Sequence, residues 1–390
     1  MNARALCLVL VACAGCNALF GIEDPIHAVS EGGAAGMDLA SAGKQTAFDS
    51  AGAGADAAGS GQGGSSGNNA GSAGKPNGGG GALPIGGAVD HPESAGDGGE
   101  AGGADVTKTR PSCVGLARNC GVSENDDCCA SPTVDGGTVF RGTTLAYPGT
   151  VKSFTLDKYE VTVARFNKFA LEFTGPPAGN AGAHPSIPGS GWQTTWNSAL
   201  AATSATLAAN VQCHPTYQTW RGTKEERAQS RLPINCVSWY EAFAFCAWDN
   251  ARLPTDVEFE YSASGGKERT YPWGEEMLSS DYAVYNCTGD KEIGCLFADI
   301  TPVGSRPLGA GRWGQLDLTG SMEEWVLDSQ GEYVTPCVNN CANIKPGPRL
   351  VRGGMWEYPS PPALQAATTN NSALPELRDQ YGGFRCATSL

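Results

Sequence analysis

Large apolar side chains are almost missing from residues 31–105 of this chain and return afterwards in short runs of differing period. Over residues 31–105 the only large apolar residues are Met37, Leu39, Phe48, Leu83, Ile85 and Val89, set among Gly, Ala, Ser, Asn and Asp. Such a stretch cannot bury enough apolar surface to offset its ordering entropy, which predicts a disordered linker. Further on, Phe166, Phe169, Ala170 and Phe173 fall at i, i+3, i+4 and i+7, the spacing of a helix over 163–173 with one apolar face. Ser238 and Glu241 have capping-box spacing ahead of an apolar run to Trp248. Thr255 and Glu258 repeat that spacing after Pro254 and start a helix through Tyr261. Past Ser264 the chain turns to Gly, Pro, Asn and aromatics, with short β-prone pieces such as Arg349-Leu350-Val351-Arg352. Three short helices among long loops and small strands predict an irregular α+β domain whose loops need disulfides or bound ions to hold them.

Glycine is concentrated before residue 106, so the 390 residues divide into a linker and one large domain over 106–390, long enough to bury a sizeable core. The formal net charge is −14, but residues 31–105 carry nine acidic residues against two lysines, a net of −7. The folded part is therefore only mildly acidic. With no basic patch interleaved with aromatics, nucleic-acid binding is excluded as a function class.

The first residues read Met1-Asn2-Ala3-Arg4, an apolar run over 5–12, then Cys13-Ala14-Gly15-Cys16. One positive charge, a short apolar core and small residues before a cysteine make a secretory signal. It looks like a bacterial lipoprotein signal, with residues 1–16 as signal and anchor and Cys16, or alternatively Cys13, as the lipidated thiol. The apolar run is far shorter than the roughly 18 residues of a membrane span. The linker over 17–105 would act as a flexible tether with a reach of about 45–50 Å for its Gly-rich 75 residues. A lipid-anchored protein of the cell envelope is expected. By analogy with known lipoproteins, the lack of Asp after either cysteine points to the outer membrane.

Twelve cysteines remain after Cys16, and an even number in an exported protein predicts disulfides. Cys113, Cys120, Cys128 and Cys129 form a cysteine-rich segment within 106–137. Cys287 with Cys295, and Cys337 with Cys341, each flank a loop and make plausible local bridges. The other four are Cys213, Cys236, Cys246 and Cys386, with connectivity open. Soft-metal binding by Cys337 and Cys341, or by Cys128 and Cys129, is the competing possibility. Catalytic signatures are sparse. His184 and His214 each precede a proline and read as loop residues. There is no Gly-x-Ser-x-Gly elbow, His-Glu-x-x-His pair or phosphate-binding loop.

A series of motifs carries a specific resemblance. Leu156-Asp157-Lys158-Tyr159-Glu160-Val161-Thr162 is followed by Pro233-Ile234-Asn235-Cys236-Val237-Ser238-Trp239, Ala251-Arg252-Leu253-Pro254-Thr255 and Tyr271-Pro272-Trp273-Gly274. Then come Gly314-Gln315-Leu316-Asp317-Leu318-Thr319-Gly320 with Glu324-Trp325, Arg352-Gly353-Gly354, and Gly383-Phe384-Arg385-Cys386. In this order they resemble the formylglycine-generating, or sulfatase-modifying factor, family over residues 138–390. The resemblance implies that family's variant of the C-type lectin fold, with little regular secondary structure.

It also implies a calcium site, from a motif similar to Asn-x-x-Gly-Asn-x-x-Glu-Trp. Asp317 takes the first position, Gly320 and Met322 offer carbonyls, and Glu324 supplies a second carboxylate, a donor set that suits Ca²⁺. Read without the family, Ser321-Met322-Glu323-Glu324 is one more capping box. The family's copper site is implied to be lost, because the two cysteines expected five residues apart after the paired glycines are Tyr358 and Ala363 here. Cys386 matches a family disulfide cysteine. The family's peptide groove would place Trp356, Glu357 and Tyr358 at a surface for an extended peptide or a sugar ring. Alternatively, Trp356 belongs to the core. The expected function is a surface-tethered, non-catalytic binding or scaffold lipoprotein. The alternative is a formylglycine-generating or related oxygen-dependent oxidase with a displaced metal site.

Overall fold

Polar caps decide where the helices begin. In the computed structural model, which describes residues 109–390 apart from 144–145, 223–228, 360 and 369–370, the Thr162 hydroxyl accepts from the Arg165 N–H and opens α1 (Val163–Glu172). Ser238 and Glu241 form a full capping box at α3 (Trp239–Trp248), and Thr255 and Glu258 form another at α4 (Asp256–Ala263). Both glutamates have second partners: Glu241 accepts a fork from Arg378 at 2.8 and 2.9 Å, and Glu258 one from Arg252 at 2.7 Å on each oxygen. A cap reinforced in this way fixes the helix start and the adjoining loop together. A fourth helix, α2 (Ser204–Asn210), was not expected. It is capped by Thr203 and buries only Leu207, so it carries almost no periodic signal. The signal, Cys13, Cys16 and the linker lie outside the described residues.

Among the described residues, nine short strands form three small sheets. β1 (Thr133–Val134), β4 (Phe154–Leu156) and β9 (Ala387–Ser389) run antiparallel in the order β1-β4-β9, while β2 (Gly137–Phe140) and β3 (Pro148–Val151) make a hairpin. The third sheet, in the order β7-β6-β5-β8, joins β7 (Ser372–Ala373), β6 (Arg349–Arg352), β5 (Glu323–Ser329) and β8 (Gly382–Gly383). Among the pairs of described strands, β5–β8 alone is parallel. The run 321–324 is therefore the entry to a buried strand, not a helix cap. No described helix is long and apolar enough to cross a membrane.

The apolar face expected of α1 is the centre of the core. Phe166 and Phe169 pack on Phe245 of α3 with ring centroids 6.1 and 5.6 Å apart, and Trp325 and Leu327 of β5 close the same cluster. The cysteine-rich segment is tied to the rest of the domain: β1 pairs with β4, and Arg110 binds Asp157 and Asp249. Arg165 reaches the same two carboxylates at 2.8 Å each. Burial would push Asp157 up, but Arg110 and Arg165 hold it down at about 2.

All twelve cysteines of the domain are paired: Cys113–Cys129, Cys120–Cys128, Cys213–Cys236, Cys246–Cys386, Cys287–Cys295 and Cys337–Cys341. The two local bridges are those the loop spacing suggested. The soft-metal alternative fails, since a sulfur held in a disulfide is not a thiolate ligand. His184 is structural: its Nδ1 accepts the Ser186 N–H, and its Nε2 lies 2.6 Å from Asn340 Nδ2 and 3.4 Å from Glu258.

Charge is unevenly matched at the start of α4. Burial, with the like charge of Asp256, pushes Asp328 up to about 8, and burial pushes Glu260 up to about 7 with Asp256 adding to it against Arg352. Both folded carboxyls keep a proton that the unfolded chain releases near pH 4, so raising the pH from about 4 to about 8 costs stability. Asp157, and Glu258 at about 2, act oppositely, but their contribution is complete above about pH 4 and is lost only toward pH 2. We expect the melting temperature to be highest near pH 4 and to fall by about 5 °C or more by pH 8.5. Asp256→Asn removes the shared like charge and should flatten that slope in thermal melts. An unchanged slope in the variant would refute the assignment.

Candidate functional site

After β6 the paired glycines turn the chain back on itself. Gly354 has φ +76°, and a Cβ there would stand 2.4 Å from Leu364 Cδ2. Gly320, at φ +74°, meets it from the other side, where a Cβ would stand 2.2 Å from the Val284 carbonyl oxygen. Only glycine fits both places. The Gly320 N–H donates to the Gly353 carbonyl at 2.9 Å, and the Trp356 N–H donates to the Ser321 carbonyl at 2.7 Å. Two groups of residues expected separately from the sequence, 317–324 and 356–358, thus lie back to back.

The first group forms an acidic cluster around Arg385. Glu324 accepts from Arg385 Nε and Nη2 at 2.7 Å each. The half-buried Asp317, held at φ +59°, accepts the Gly304 N–H at 2.6 Å. Glu160, fully buried, accepts the Met322 N–H at 2.9 Å and the Ser321 hydroxyl at 3.1 Å. Burial, together with Asp317 and Glu324, pushes Glu160 well above the usual carboxylate range, and burial pushes Asp317 and Glu324 up as well. Arg385 opposes all three carboxylates and Arg306 adds to it at Asp317, which still leaves a surplus of negative charge when all are ionised.

Asp317 and Glu324, named from the sequence as calcium ligands, share this cluster with Glu160, a further hard oxygen donor; both Glu324 oxygens are held by Arg385. Among the described residues, the one trio of donor atoms within 4.8 Å of one another is Cys287, Cys295 and Glu357, and its sulfurs are tied in a disulfide. The cluster's carboxylates are more widely spaced. An ion there would need the backbone carbonyls of Gly320 and Met322 to complete its shell.

The second group makes the surface above this cluster. Trp356 is only 1% exposed and packs among Val284, Cys287, Ile300 and Met322, so it is core and cannot stack on a ligand. Its carbonyl and that of Tyr358 accept the N–H groups of Cys287 and Asn286, which pins the segment in place. Glu357 and Tyr358 are half-buried at the edge. Ala363 lies in a 3-10 turn (Pro361–Leu364). Around Trp356 stand aromatics that the sequence reading missed. Tyr217 lies 5.2 Å from it, His214 stacks on Tyr217 at 4.8 Å, and Tyr381 lies 6.0 Å away with its hydroxyl donating to Glu357. Burial and Glu357 push the Tyr381 phenol up, so it remains a donor. Tyr217 donates to the Cys295 carbonyl at 2.8 Å. Half-exposed aromatic faces beside a carboxylate can stack on a planar or sugar-like group and accept its hydrogen bonds.

Comparison with known proteins gives the family. Residues 122–390 match the family described as "Sulfatase-modifying factor enzyme 1-like domain", which includes part of the cysteine-rich segment. The chain is 27% identical over 260 residues to "Inactive C-alpha-formylglycine-generating enzyme 2" of Mus musculus, covering 62% of this chain and 76% of that protein. It is 32% identical over 167 residues to "Hercynine oxygenase" of Mycobacterium tuberculosis, covering 40% of this chain and only 37% of that relative. Among solved structures, PvdO from Pseudomonas aeruginosa aligns over 66% of this chain and 93% of its own, with 20% identity and a TM-score of 0.46. The chain belongs to the sulfatase-modifying factor enzyme 1-like family, whose relatives include both a protein named inactive and one named an oxygenase.

Proposed function

We propose that this protein is a non-catalytic binding or scaffold module of the formylglycine-generating-enzyme-like family. In this reading it is carried on a lipid anchor at Cys16, or alternatively Cys13, at the outer membrane. The observation that supports it best is the state of sulfur in the domain. Every cysteine from Cys113 to Cys386 is in a disulfide, and the positions matching the family's copper cysteines hold Tyr358 and Ala363. Cu(I) is held by soft thiolates, so this donor set does not fit copper. The ligand surface in this proposal is the ring of Tyr217, His214, Tyr358 and Tyr381 with Glu357, open to an extended peptide or a glycan. The alternative, an oxidase with a displaced metal site, would need donors other than these sulfurs.

Three readouts on the purified intact protein test the proposal: free-thiol count, transition-metal content, and turnover of a sulfatase-type cysteine peptide to its aldehyde. We expect no free thiol in the domain, no stoichiometric copper or iron, and no aldehyde. Aldehyde formation with near-stoichiometric metal would replace the binding module with the oxidase. A peptide and glycan array then identifies the ligand, with Tyr217→Ala and Tyr381→Phe expected to weaken whatever binds.

In the same reading calcium sits at Asp317 and Glu324, with the Gly320 and Met322 carbonyls and Glu160 close by, and it neutralises the buried acids. Millimolar calcium should raise the melting temperature by about 5 °C over an EDTA-treated sample. Asp317→Asn should shrink that gap. Equal melting with and without calcium would remove the ion from the proposal.

A further inference from the structure

Between the first turn of α3, the start of β6 and the residues after β7, a cleft of about 320 Å³ is lined by Trp196, Tyr240, Ile344, Pro348, Arg349 and Leu374, among others. It shares no residue with the acidic cluster or with the aromatic surface around Trp356. Its walls are mostly apolar, and Pro346, Pro348 and Pro375 bring no N–H group to them. Polar donors are therefore few, and the guanidinium of Arg349 is the one cation among the lining residues.

Arg349 is only 4% exposed. Its Nη1 donates to the Leu327 carbonyl at 3.0 Å, its one acceptor among the described residues. Nε is sealed from solvent with no acceptor, so Nη2 is the nitrogen left for a ligand to reach. The guanidinium carbon lies 3.9 Å from the ring centre of Trp239 and 5.8 Å from that of Trp196. Such stacking covers the flat face of the group and leaves its N–H edge unused. Arg352, three residues further along the strand, is paired with Asp256 and Glu260; Arg349 has no carboxylate at ion-pair distance among the described residues. Asp328 attracts it from further off, but both Asp328 oxygens accept backbone N–H groups. With its carboxyl raised to about 8, Asp328 is also largely protonated at neutral pH. Burial pulls the Arg349 guanidinium down to about 10, which still leaves it charged there. A buried cation with most of its N–H groups unused is costly unless an anion completes it. Glu376, the one acid among the lining residues, is exposed at the rim, 3.5 Å from the Tyr240 hydroxyl, where solvent screens it.

We propose that this cleft binds the carboxylate of an apolar acid, with Arg349 Nη2 as its cationic donor and the Tyr240 hydroxyl as a second donor. Burial, with Glu376 adding to it, pushes the Tyr240 phenol up, so it keeps its proton to donate. A guanidinium–carboxylate bond is charge-assisted, and a single cation suits a singly charged head. The volume admits one amino-acid-sized group, whose apolar stem rests on Trp196, Pro348 and Leu374. That head is either a free carboxylic acid or the C-terminal carboxylate of a polypeptide.

The test is isothermal titration of the intact protein with 3-phenylpropionate, with N-acetyl-alanyl-leucine bearing a free C-terminal carboxylate, and with the neutral amide of each. Saturable binding of at least one acid, about tenfold or more tighter than its amide, is expected. Binding by the capped dipeptide points to a polypeptide source, and binding by phenylpropionate alone to a free acid; both uphold the proposal. Glu376→Gln, an exposed change that removes the like charge from the rim, should tighten binding by about threefold. Tyr240→Phe should weaken it by about threefold. Arg349→Met should abolish it in a variant that still melts cooperatively. Amides binding as tightly as the acids, weaker binding in the Glu376→Gln protein, or no heat of binding up to millimolar acid would overturn it.

Discussion

Replacing Arg385 with alanine should destabilise the folded protein by about 3–5 kcal/mol, the range for breaking a buried ion pair from one side. Arg385 has no exposed surface, and all five of its N–H groups have acceptors. Nε and Nη2 hold Glu324, Nη1 donates to the carbonyls of Asp157 and Lys158 at 3.2 and 3.3 Å, and Nη2 also reaches the Leu316 carbonyl at 3.0 Å. Alanine would leave Glu160 and Glu324 without their cation and Asp317 with Arg306 alone, and would take a donor from three interior carbonyls, of which that of Lys158 keeps the Leu316 N–H. Arg385→Lys keeps the charge but not the planar fork, so it should lose an intermediate amount. The double variant Arg385→Met, Glu324→Leu removes both charges and should recover part of the loss. Urea unfolding without reductant measures all three. A loss below about 1 kcal/mol for Arg385→Ala would mean that the arginine does not neutralise the cluster.

The second large effect is expected from the Cys246–Cys386 bridge. It joins α3 to the chain just before β9 and closes a loop of 140 residues. In the chain-entropy account, removing a bridge over so long a loop costs about 5 kcal/mol. The same relation gives about 2 kcal/mol for Cys337–Cys341, whose cysteines are four residues apart. Paired Cys→Ala changes at each site, compared by guanidinium unfolding, should therefore differ by about 3 kcal/mol. Similar losses at both sites would show that constraint of the unfolded chain is not the main contribution.

Local signals in this chain were readable. The Thr255–Glu258 and Ser238–Glu241 spacings located two helix starts because a cap is satisfied within four residues of itself. Bridges between Cys287 and Cys295, and between Cys337 and Cys341, were legible for the same reason. What failed depended on distant partners. The run 321–324 has a capping-box spelling, yet it enters β5, since β6 and β8 flank it and pair with its backbone. Trp356 was equally plausible as surface or core until Tyr217, Cys287 and Met322 closed around it. Glu160 stood inside a recognised motif, but nothing adjacent to it in the chain revealed that it shares a cluster with Asp317 and Glu324.

The sequence by itself determined the α+β class, the helix starts, the even cysteine complement and, through the order of its motifs, the family. Each of these rests on spacing, composition or pattern along the chain. Only the tertiary structure decided how the other eight cysteines pair, that Trp356 is core, and that Glu160 shares a cluster with Asp317 and Glu324. Those outcomes depend on distance and desolvation between residues far apart in sequence, quantities that exist only once the chain has closed on itself.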